Sequence, residues 1–382
     1  MSIYLTFALA LSIITSVQAG RVLLTLYALE LGAQPFAVGI LAATFSLLPT
    51  LLSWQVGRFS DRFGSRWLLM AGTVGGAFGI LLPYVVSGLF ALYVAGVMNG
   101  VLFAFSGVCL QNLVGILSNP QTSAKNFSNY SVLISATGFI GPLLAGFSID
   151  HAGHAVACLY LALLSLVPAA LLLIWGGTLP KGSRNARPTG SVRDMLAGSG
   201  LWRVLATSSL VVTGIDLFQV YVPIYGHDVG LSASAIGVVL AMFSVAAFVV
   251  RMILPRLISR LTEEKLLAYS FFIGAATFFL MPFFQSAVVL SLIAFVFGLG
   301  MGCGQPITLM MTFSNSPQGR SGEAMGLRVT VNHLTRVIVP VLFGSIGSMF
   351  GLFPVFWSNA LLLASGGTIT KPGKGGPRPT RQ

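Results

Sequence analysis

The chain has 382 residues, of which 55% are hydrophobic and only 8% are charged. Soluble domains are about a quarter charged, so this chain has too few charges to cover a surface that faces water. Its net charge of +12 is spread over short loops between apolar runs and does not form one basic face, which argues against a nucleic-acid-binding protein.

Apolar runs of about 20 residues, long enough to cross a bilayer, recur from end to end and predict an all-α polytopic membrane protein. Gly, Pro, Asn and Ser mark the joins between these runs. The breaks in hydropathy predict twelve transmembrane helices, at roughly 3–29, 37–57, 67–88, 90–113, 127–148, 155–177, 202–225, 232–254, 265–284, 287–312, 324–346 and 352–367.

The first predicted span contains SIITSVQAGRVLLTLYALELG, at residues 12–32, which has two interpretations. Either Val17-Gln18-Ala19 ends a cleavable signal peptide, or the apolar run continues through Arg21 as a membrane helix. The first residues lack the basic segment of a signal peptide, and the same polarity pattern recurs in mid-chain. We therefore interpret residues 3–29 as the first span.

Basic residues predict the orientation, because cytoplasmic loops are enriched in Lys and Arg. With the N-terminus inside, every Lys and Arg except Arg21, Arg328 and Arg336 belongs to a cytoplasmic segment or to the span end beside one. The outer loops carry acidic residues and histidines instead. We therefore predict a multi-pass protein of a bacterial inner (plasma) membrane with both termini cytoplasmic.

A polar stretch divides the chain near its middle and has the Pro, Gly, Ser and Arg content of a cytoplasmic linker. A shift of 198 residues aligns the two halves without a gap over several segments. We predict two pseudo-symmetric six-helix bundles, 1–178 and 201–367, with the linker 179–200 between them and a basic cytoplasmic tail, 368–382. The matched pairs include Thr15 with Thr213, Tyr27 with Tyr225, Arg58 with Arg256, Arg62 with Arg260, Pro142 with Pro340, and Gly146 with Gly344.

The loop after the second span reads GRFSDRFGSR, at residues 57–66. It resembles the G-x-x-x-D-R-x-G-x-R motif between spans two and three of the major facilitator superfamily. The agreeing residues are Gly57, Asp61, Arg62, Gly64 and Arg66. With the twelve spans and the six-plus-six repeat, the resemblance covers nearly the whole chain. It implies a secondary transporter that works by alternating access.

In that family the motif's aspartate contacts the cytoplasmic end of span eleven. Here Asp61 is expected to meet that helix N-terminus near residues 324–328, where free N–H groups favour an anion. The alternative is a basic turn that only sets the topology. In the second copy of the motif, Pro255 and Ser259 replace the first glycine and the aspartate. The corresponding contact with a helix N-terminus is therefore expected to be weak or absent in that copy.

The stretch GFIGPLLAG, at residues 138–146, resembles the G-P-x-x-G-G stretch of exporters in the family. Gly141, Pro142 and Gly146, together with the repeat partner Pro340, are predicted to thin and bend helices at the interface between the halves. The match is partial, and general helix packing explains it equally well. The span-four arginine of proton-coupled members is missing, with Gly96 in its place, so coupling by that route is not expected.

Arg21 and Asp216 lie within predicted spans, where a charge costs several kcal/mol unless it is paired or hydrated. Counted from the cytoplasmic side they are at similar depth. We predict an Arg21–Asp216 contact across a central cavity, which gates the cavity or binds the solute. The alternatives are a permanent ion pair and snorkelling of either residue to the outer interface.

Arg336 in span eleven either binds a carboxylate or phosphate, or it bonds backbone carbonyls that Pro340 exposes. Nearby His333 either titrates near neutral pH or is a packing residue. The uncharged polar candidates for the cavity lining include Gln18, Asn99, Gln219 and Gln305. A mostly apolar cavity with scattered polar groups suits an amphipathic organic solute.

Several motifs argue against other kinds of site. The stretch GLGMGCG, at residues 298–304, lacks the strand and the G-K-[ST] of a nucleotide loop, so we interpret it as packing or a bend in span ten. Cys109, Cys158 and Cys303 lie alone in apolar segments, without the spacing of a metal site. We predict no enzyme activity, metal or cofactor.

The sequence therefore predicts a monomeric secondary transporter in the lipid bilayer that exports a small organic solute, with protons as the coupling ion. The first alternative is an importer of an organic anion, in which Arg21 and Arg336 bind the carboxylate. The second is a membrane sensor on the same fold that transports nothing.

Overall fold

The computed structural model describes residues 2–33, 35–182, 195–196, 200–231 and 233–370. Every regular element in these ranges is helical. Apolar segments form helices in lipid because each backbone N–H and C=O group then has a partner within its own segment. The prediction of an all-α chain is therefore confirmed.

The helices follow the predicted spans in chain order. In the first half they are α1 (Ser2–Glu30), α2 (Pro35–Phe63), α3 (Ser65–Val85), α4 (Leu89–Ile116) and α5 (Ser123–Trp175), with a 3-10 turn at Gly176–Thr178. In the second half they are α6 (Leu201–Asp228), α7 (Ala233–Arg260), α8 (Glu263–Leu280), α9 (Ala287–Met301), α10 (Gly304–Ser314), α11 (Ser321–Phe350) and α12 (Leu352–Thr370).

Helix α5 is broken at Gly153, whose φ of 76° lies in the left-handed region that favours glycine. A straight helix of its 53 residues would be about 80 Å long, far more than the hydrocarbon core of roughly 30 Å. The break separates two limbs, 123–152 and 154–175. These limbs correspond to the fifth and sixth predicted spans.

The predicted span 287–312 is also broken, into α9 and α10, at Gly302 and Cys303. Arg251 of α7 donates its Nε hydrogen to the carbonyl oxygen of Gly302 over 2.9 Å. A carbonyl group at the break therefore has a hydrogen-bond partner on another helix, as apolar surroundings require. The glycine-rich stretch 298–304 forms a bend.

Ten helical stretches of the described residues are long and apolar enough to cross a membrane. The stretch Ser123–Thr178 counts once among them, despite its break at Gly153. The chain is a multi-pass membrane protein, and the count of twelve spans stays a prediction.

By their contacts, the described residues divide into two compact units. The first unit consists of the described residues within Met1–Leu201 and Thr312–His333. The second consists of those within Trp202–Met311 and Leu334–Gln382. Helix α11 therefore begins in the first unit and ends in the second. The predicted bundles are a division by sequence repeat, and they stay a prediction.

Each unit has its own apolar core. Leu23 and Ile80 are fully buried in the core of the first unit. Aromatic rings are prominent in the second, where Phe218 stacks on Phe297 with centroids 4.9 Å apart and Phe278 meets Phe297 edge-on at 5.2 Å. Lipid is as apolar as these side chains, so close packing, more than removal from water, stabilises such cores.

Candidate functional site

Asp61, near the end of α2, lies against the N-terminus of α11 within the first unit. Its Oδ1 accepts a hydrogen bond from the backbone N–H of Gly322 over 2.8 Å, and its Oδ2 accepts one from the N–H of Glu323 over 2.9 Å. The first N–H groups of a helix have no partner within the helix, so an anion there satisfies two of them. We call this pair of hydrogen bonds the latch. It lies just before the expected range 324–328.

The electrostatics of the latch combine burial with hydrogen bonding. Asp61 lies beyond the predicted span 37–57, and burial raises the pKa of its carboxyl to about 6. The backbone N–H groups of Glu323 and Gly322 and the side chain of Asn112 act in the opposite direction and lower that pKa. The carboxyl is therefore mostly ionised at neutral pH, as an acceptor at a helix N-terminus should be.

Glycines allow α2 and α11 to touch backbone to backbone. A Cβ atom on Gly57 would overlap the carbonyl oxygen of Gly322, and one on Gly326 would overlap the carbonyl oxygen of Ser53. Gly57 is one of the motif residues identified in the sequence, whereas Gly326 was not identified. Its signal is the spacing Gly322-x-x-x-Gly326, which marks close helix packing in membranes.

Glu323 is a second carboxylate at this helix end, and sequence reasoning missed it. It is 2% exposed. Its Oε1 accepts a hydrogen bond from the indole N–H of Trp54 over 3.1 Å, and its Oε2 accepts one from Nε of Arg320 over 2.7 Å. An acidic residue in the first turn of a helix was the available signal. Glu323 therefore ties α2 to α11 beside the latch.

The remaining motif residues shape the loop between α2 and α3. Gly64 has a φ of 81°, which favours glycine. Arg62 lies over the ring of Phe63, 5.1 Å from its centroid, and Arg66 lies over the ring of Trp67 at 5.6 Å. Arginine on an aromatic face suits a membrane–water interface.

Asp216 of α6 and Arg336 of α11 form an ion pair within the second unit. The Nε of Arg336 lies 3.1 Å from Oδ2 of Asp216. The Asp216 side chain is 21% exposed and the Arg336 side chain is 48% exposed. The structure therefore gives Arg336 a carboxylate of the protein itself, which was not among its predicted partners.

The sequence did contain a signal for this pair. Asp216 lies 15 residues after Leu201 (216 − 201), and Arg336 lies 15 residues after Ser321 (336 − 321). Both helices begin on the cytoplasmic side in the predicted topology, so both residues are about 22 Å from that end. Comparing depths for all charged residues, and not only for repeat partners, would have added Arg336 to the candidate partners of Asp216.

Arg21 belongs to the first unit, where its guanidinium lies over the ring of Phe45, 5.5 Å from the centroid. A partly buried cation on an aromatic face is stabilised by the ring quadrupole. The predicted Arg21–Asp216 contact would join the two units, and it stays a prediction.

The other polar candidates differ in their accessibility. Asn99 is buried and donates its side-chain N–H to the carbonyl oxygen of Val17 over 3.3 Å. His333 is 5% exposed, and its ring meets Phe103 edge-on with centroids 5.7 Å apart. Gln18 and Gln305 are half-buried, and Gln219 is exposed. Asn99 and His333 thus have packed environments, whereas the three glutamines are half-buried or exposed.

The predicted helix-bend residues are not equivalent. A Cβ on Gly141 would lie 2.7 Å from Cβ of Gln18 and 3.0 Å from the backbone nitrogen of Ala19, so α5 and α1 pack closely there. Gly146 has no described atom within 4 Å of its Cβ position, and Pro142 lies inside α5. The side chain of Pro340 lies outside the described residues.

We expect Gly141→Ala to destabilise the protein by about 1–3 kcal/mol, because the added methyl group must push α1 away from α5. Gly146→Ala is the matched control, since its methyl group enters open space and alanine favours a helix by up to about 1 kcal/mol over glycine. Thermal unfolding of the purified protein in detergent measures both. A lower midpoint for Gly146→Ala than for Gly141→Ala would contradict the packing of α1 on α5 at Gly141.

Comparisons with known proteins agree on one family. The sequence model of the Major Facilitator Superfamily matches residues 4–340. The quinolone resistance protein NorA of Staphylococcus aureus is 21% identical over 358 residues, which are 89% of this chain and 88% of NorA.

Solved structures show the same fold. The human organic anion transporter MFSD10 superposes with a TM-score of 0.80 at 15% identity, over 97% of this chain and 98% of its own. The Escherichia coli fucose:proton symporter FucP superposes with a TM-score of 0.78 at 15% identity, over 97% and 99% of the two chains. At this identity the likeness shows the fold alone.

Proposed function

The chain belongs to the major facilitator superfamily, a family of membrane transporters and not of enzymes, and from this premise we propose that it exports small organic solutes in exchange for protons. It works by alternating access, in which a solute pocket opens to one side of the plasma membrane at a time. The coupling ion rests on an ion pair within the protein, whereas the direction and the solute class rest on a relative and on polar side chains.

The Asp216–Arg336 ion pair carries the proposal of proton coupling. A cation that faces lipid at this depth costs several kcal/mol, so the 48% exposed side chain of Arg336 is expected to border a hydrated pathway. Protonation of Asp216 from that pathway removes its negative charge and weakens its bond to Arg336. Binding of the proton thereby frees the guanidinium of Arg336 from Asp216. Such a change in the pairing of charged groups is what links proton binding to solute transport.

Export is supported by the relative NorA, whose name describes resistance to quinolones. Quinolones are amphipathic organic molecules, and within the second unit the exposed Gln219 and the half-buried Gln305 offer hydrogen bonds to such a solute. We propose an amphipathic organic solute on these grounds.

Import of an organic anion is the second candidate. It is favoured by Arg336, because a half-exposed guanidinium binds a solute carboxylate well once Asp216 is neutral. In this scheme Asp216 occupies the anion's place between transport events.

An accumulation assay tests both candidates. Bacterial cells with and without the protein are exposed to a panel of drugs, sugars and organic acids, in the presence and absence of an uncoupler. We expect lower accumulation of an amphipathic solute in expressing cells, with the difference removed by the uncoupler. A difference that survives the uncoupler would exclude proton coupling.

Two other results of this assay favour the alternatives. Higher uptake of an organic anion, lost in Arg336→Gln, would favour the importer. Equal accumulation of every compound in both kinds of cell would favour a sensor that transports nothing.

A further inference from the structure

The chain that leaves α5 returns to the loop between α2 and α3 before it enters the central linker. We call residues 176–182 the strap. It begins with the 3-10 turn Gly176–Thr178 and continues through Leu179, which is 5% exposed. A buried leucine shows that this segment packs on the unit, although its sequence has the composition of a linker.

The strap touches the motif loop backbone to backbone at its far end. A Cβ on Gly182 would overlap the nitrogen of Gly64 and would lie 2.6 Å from the carbonyl oxygen of Arg62. In the opposite direction, a Cβ on Gly64 would lie 2.9 Å from the nitrogen of Gly182. Only glycine fits at position 182 without displacing one of the two backbones.

Two further contacts hold the start of the strap. Arg66 packs across Gly176, where a Cβ would lie 2.8 Å from Nε of the arginine. The hydroxyl of Ser2, at the start of α1, donates a hydrogen bond to the carbonyl oxygen of Thr178 over 3.0 Å. The segment is thus fixed at both ends, against the motif loop and against α1.

The strap and the latch face a common cavity of about 450 Å³ within the first unit. Asp61, Asn112 and Ser321 line it on the latch side, and Pro180 and Gly182 line it on the strap side. The strap therefore lies close to the latch, and it contacts the backbone of Arg62 and Gly64, which follow Asp61 in the chain.

We propose that the strap is a positioning element for the latch, and that Gly182 is the residue that seats it. Asp61 lies in the last turn of α2, so its reach to α11 depends on where Arg62 and Gly64 hold the end of that helix. A hydrogen bond weakens steeply with distance and angle. A displaced loop would therefore weaken both bonds of the latch. The role of the strap in transport rests on the proposed function, whereas its effect on the latch does not.

A buried native cysteine reports on this region without any transport assay. Cys109 of α4 is 0% exposed, and its thiol lies beside the side chains of Ser60 and Ser65 in the motif loop, whose hydroxyls are hydrogen-bonded to each other over 2.9 Å. In the full chain with Cys158→Ala and Cys303→Ser, Cys109 is the single cysteine. The rate at which N-ethylmaleimide labels it measures how often the loop moves away from α4.

Gly182→Ala is expected to increase the labelling rate about tenfold, because the methyl group must lift the strap from the loop. Gly177→Ala is the matched control in the same segment, since no described atom lies within 4 Å of its Cβ position, and its rate should equal that of the parent. Pro180→Gly loosens the strap without any overlap, so its rate should rise by about two- to fivefold. Equal rates for Gly177→Ala and Gly182→Ala would overturn the proposal.

Adding Asp61→Ala tests whether the strap acts through the latch. We expect Asp61→Ala alone to raise the labelling rate, and Gly182→Ala to add little in that background. If the double variant's labelling rate rises by the product of the two single increases, the positioning role of the strap would be overturned. If Gly182→Ala does not reach the membrane, Pro180→Gly decides instead, and an unchanged rate in that variant would overturn the proposal. If Gly182→Ala adds little to the labelling rate in the Asp61→Ala background, but the parent protein moves no solute, the positioning role of the strap stands and only the proposed export is refuted.

Discussion

Replacement of Asp216 by asparagine is expected to abolish proton-driven transport in a protein that still folds and reaches the membrane. Asparagine has nearly the shape of aspartate, and its amide oxygen can still accept the hydrogen bond from Nε of Arg336. It cannot ionise, so it cannot take up a proton on one side and release it on the other. Solute accumulation should therefore equal that of uncoupler-treated cells.

The control for this variant lies in the same helix. Asp228 is an exposed carboxylate at the C-terminal end of α6, which is predicted to face outside, and Asp228→Asn removes the same charge outside the ion pair. We expect it to keep an uncoupler-sensitive gradient. Normal proton-driven transport by Asp216→Asn at matched expression would exclude coupling through this residue, whatever the control does.

Hydropathy and charge predicted most of the helices because lipid imposes strict requirements on the chain. The limbs of α5 follow the predicted spans 127–148 and 155–177, since a helix that crosses lipid must be apolar along its length. The break between α9 and α10 is different. Gly302 and Cys303 are as apolar as their neighbours, so hydropathy continues across the break and only the glycine spacing of residues 298–304 indicated a bend.

The candidate site was predictable where a residue's partner is a helix end, and less so where it is another side chain. The family motif implied that Asp61 meets the start of α11, because backbone N–H groups lie there whatever the side chains are. The pairing of Asp216 with Arg336 depends on the direction in which each helix face points, which a count of depth along the helix does not contain.

Asp61→Ala is expected to slow transport about tenfold or more without removing the protein from the membrane. The variant leaves the N–H groups of Gly322 and Glu323 without their acceptor, and hydrogen bonds to an ionised group contribute about 1.5–3 kcal/mol each. A loss of even about 2 kcal/mol shifts an equilibrium by roughly 30-fold. The form with α2 against α11 then becomes scarce, and a cycle that must pass through it slows.

The internal repeat supplies the matched control for Asp61→Ala. Ser259 occupies the equivalent position, 198 residues later, and its hydroxyl donates to the carbonyl oxygen of Arg256 in its own helix, over 2.8 Å. Ser259→Ala removes a local bond that competes with the helix, so we expect a normal initial rate of efflux. Since the two substitutions truncate equivalent positions of the repeat, a large defect only at residue 61 would locate the latch in the first copy. Equal rates for both variants would mean that the loop acts as a basic topogenic turn.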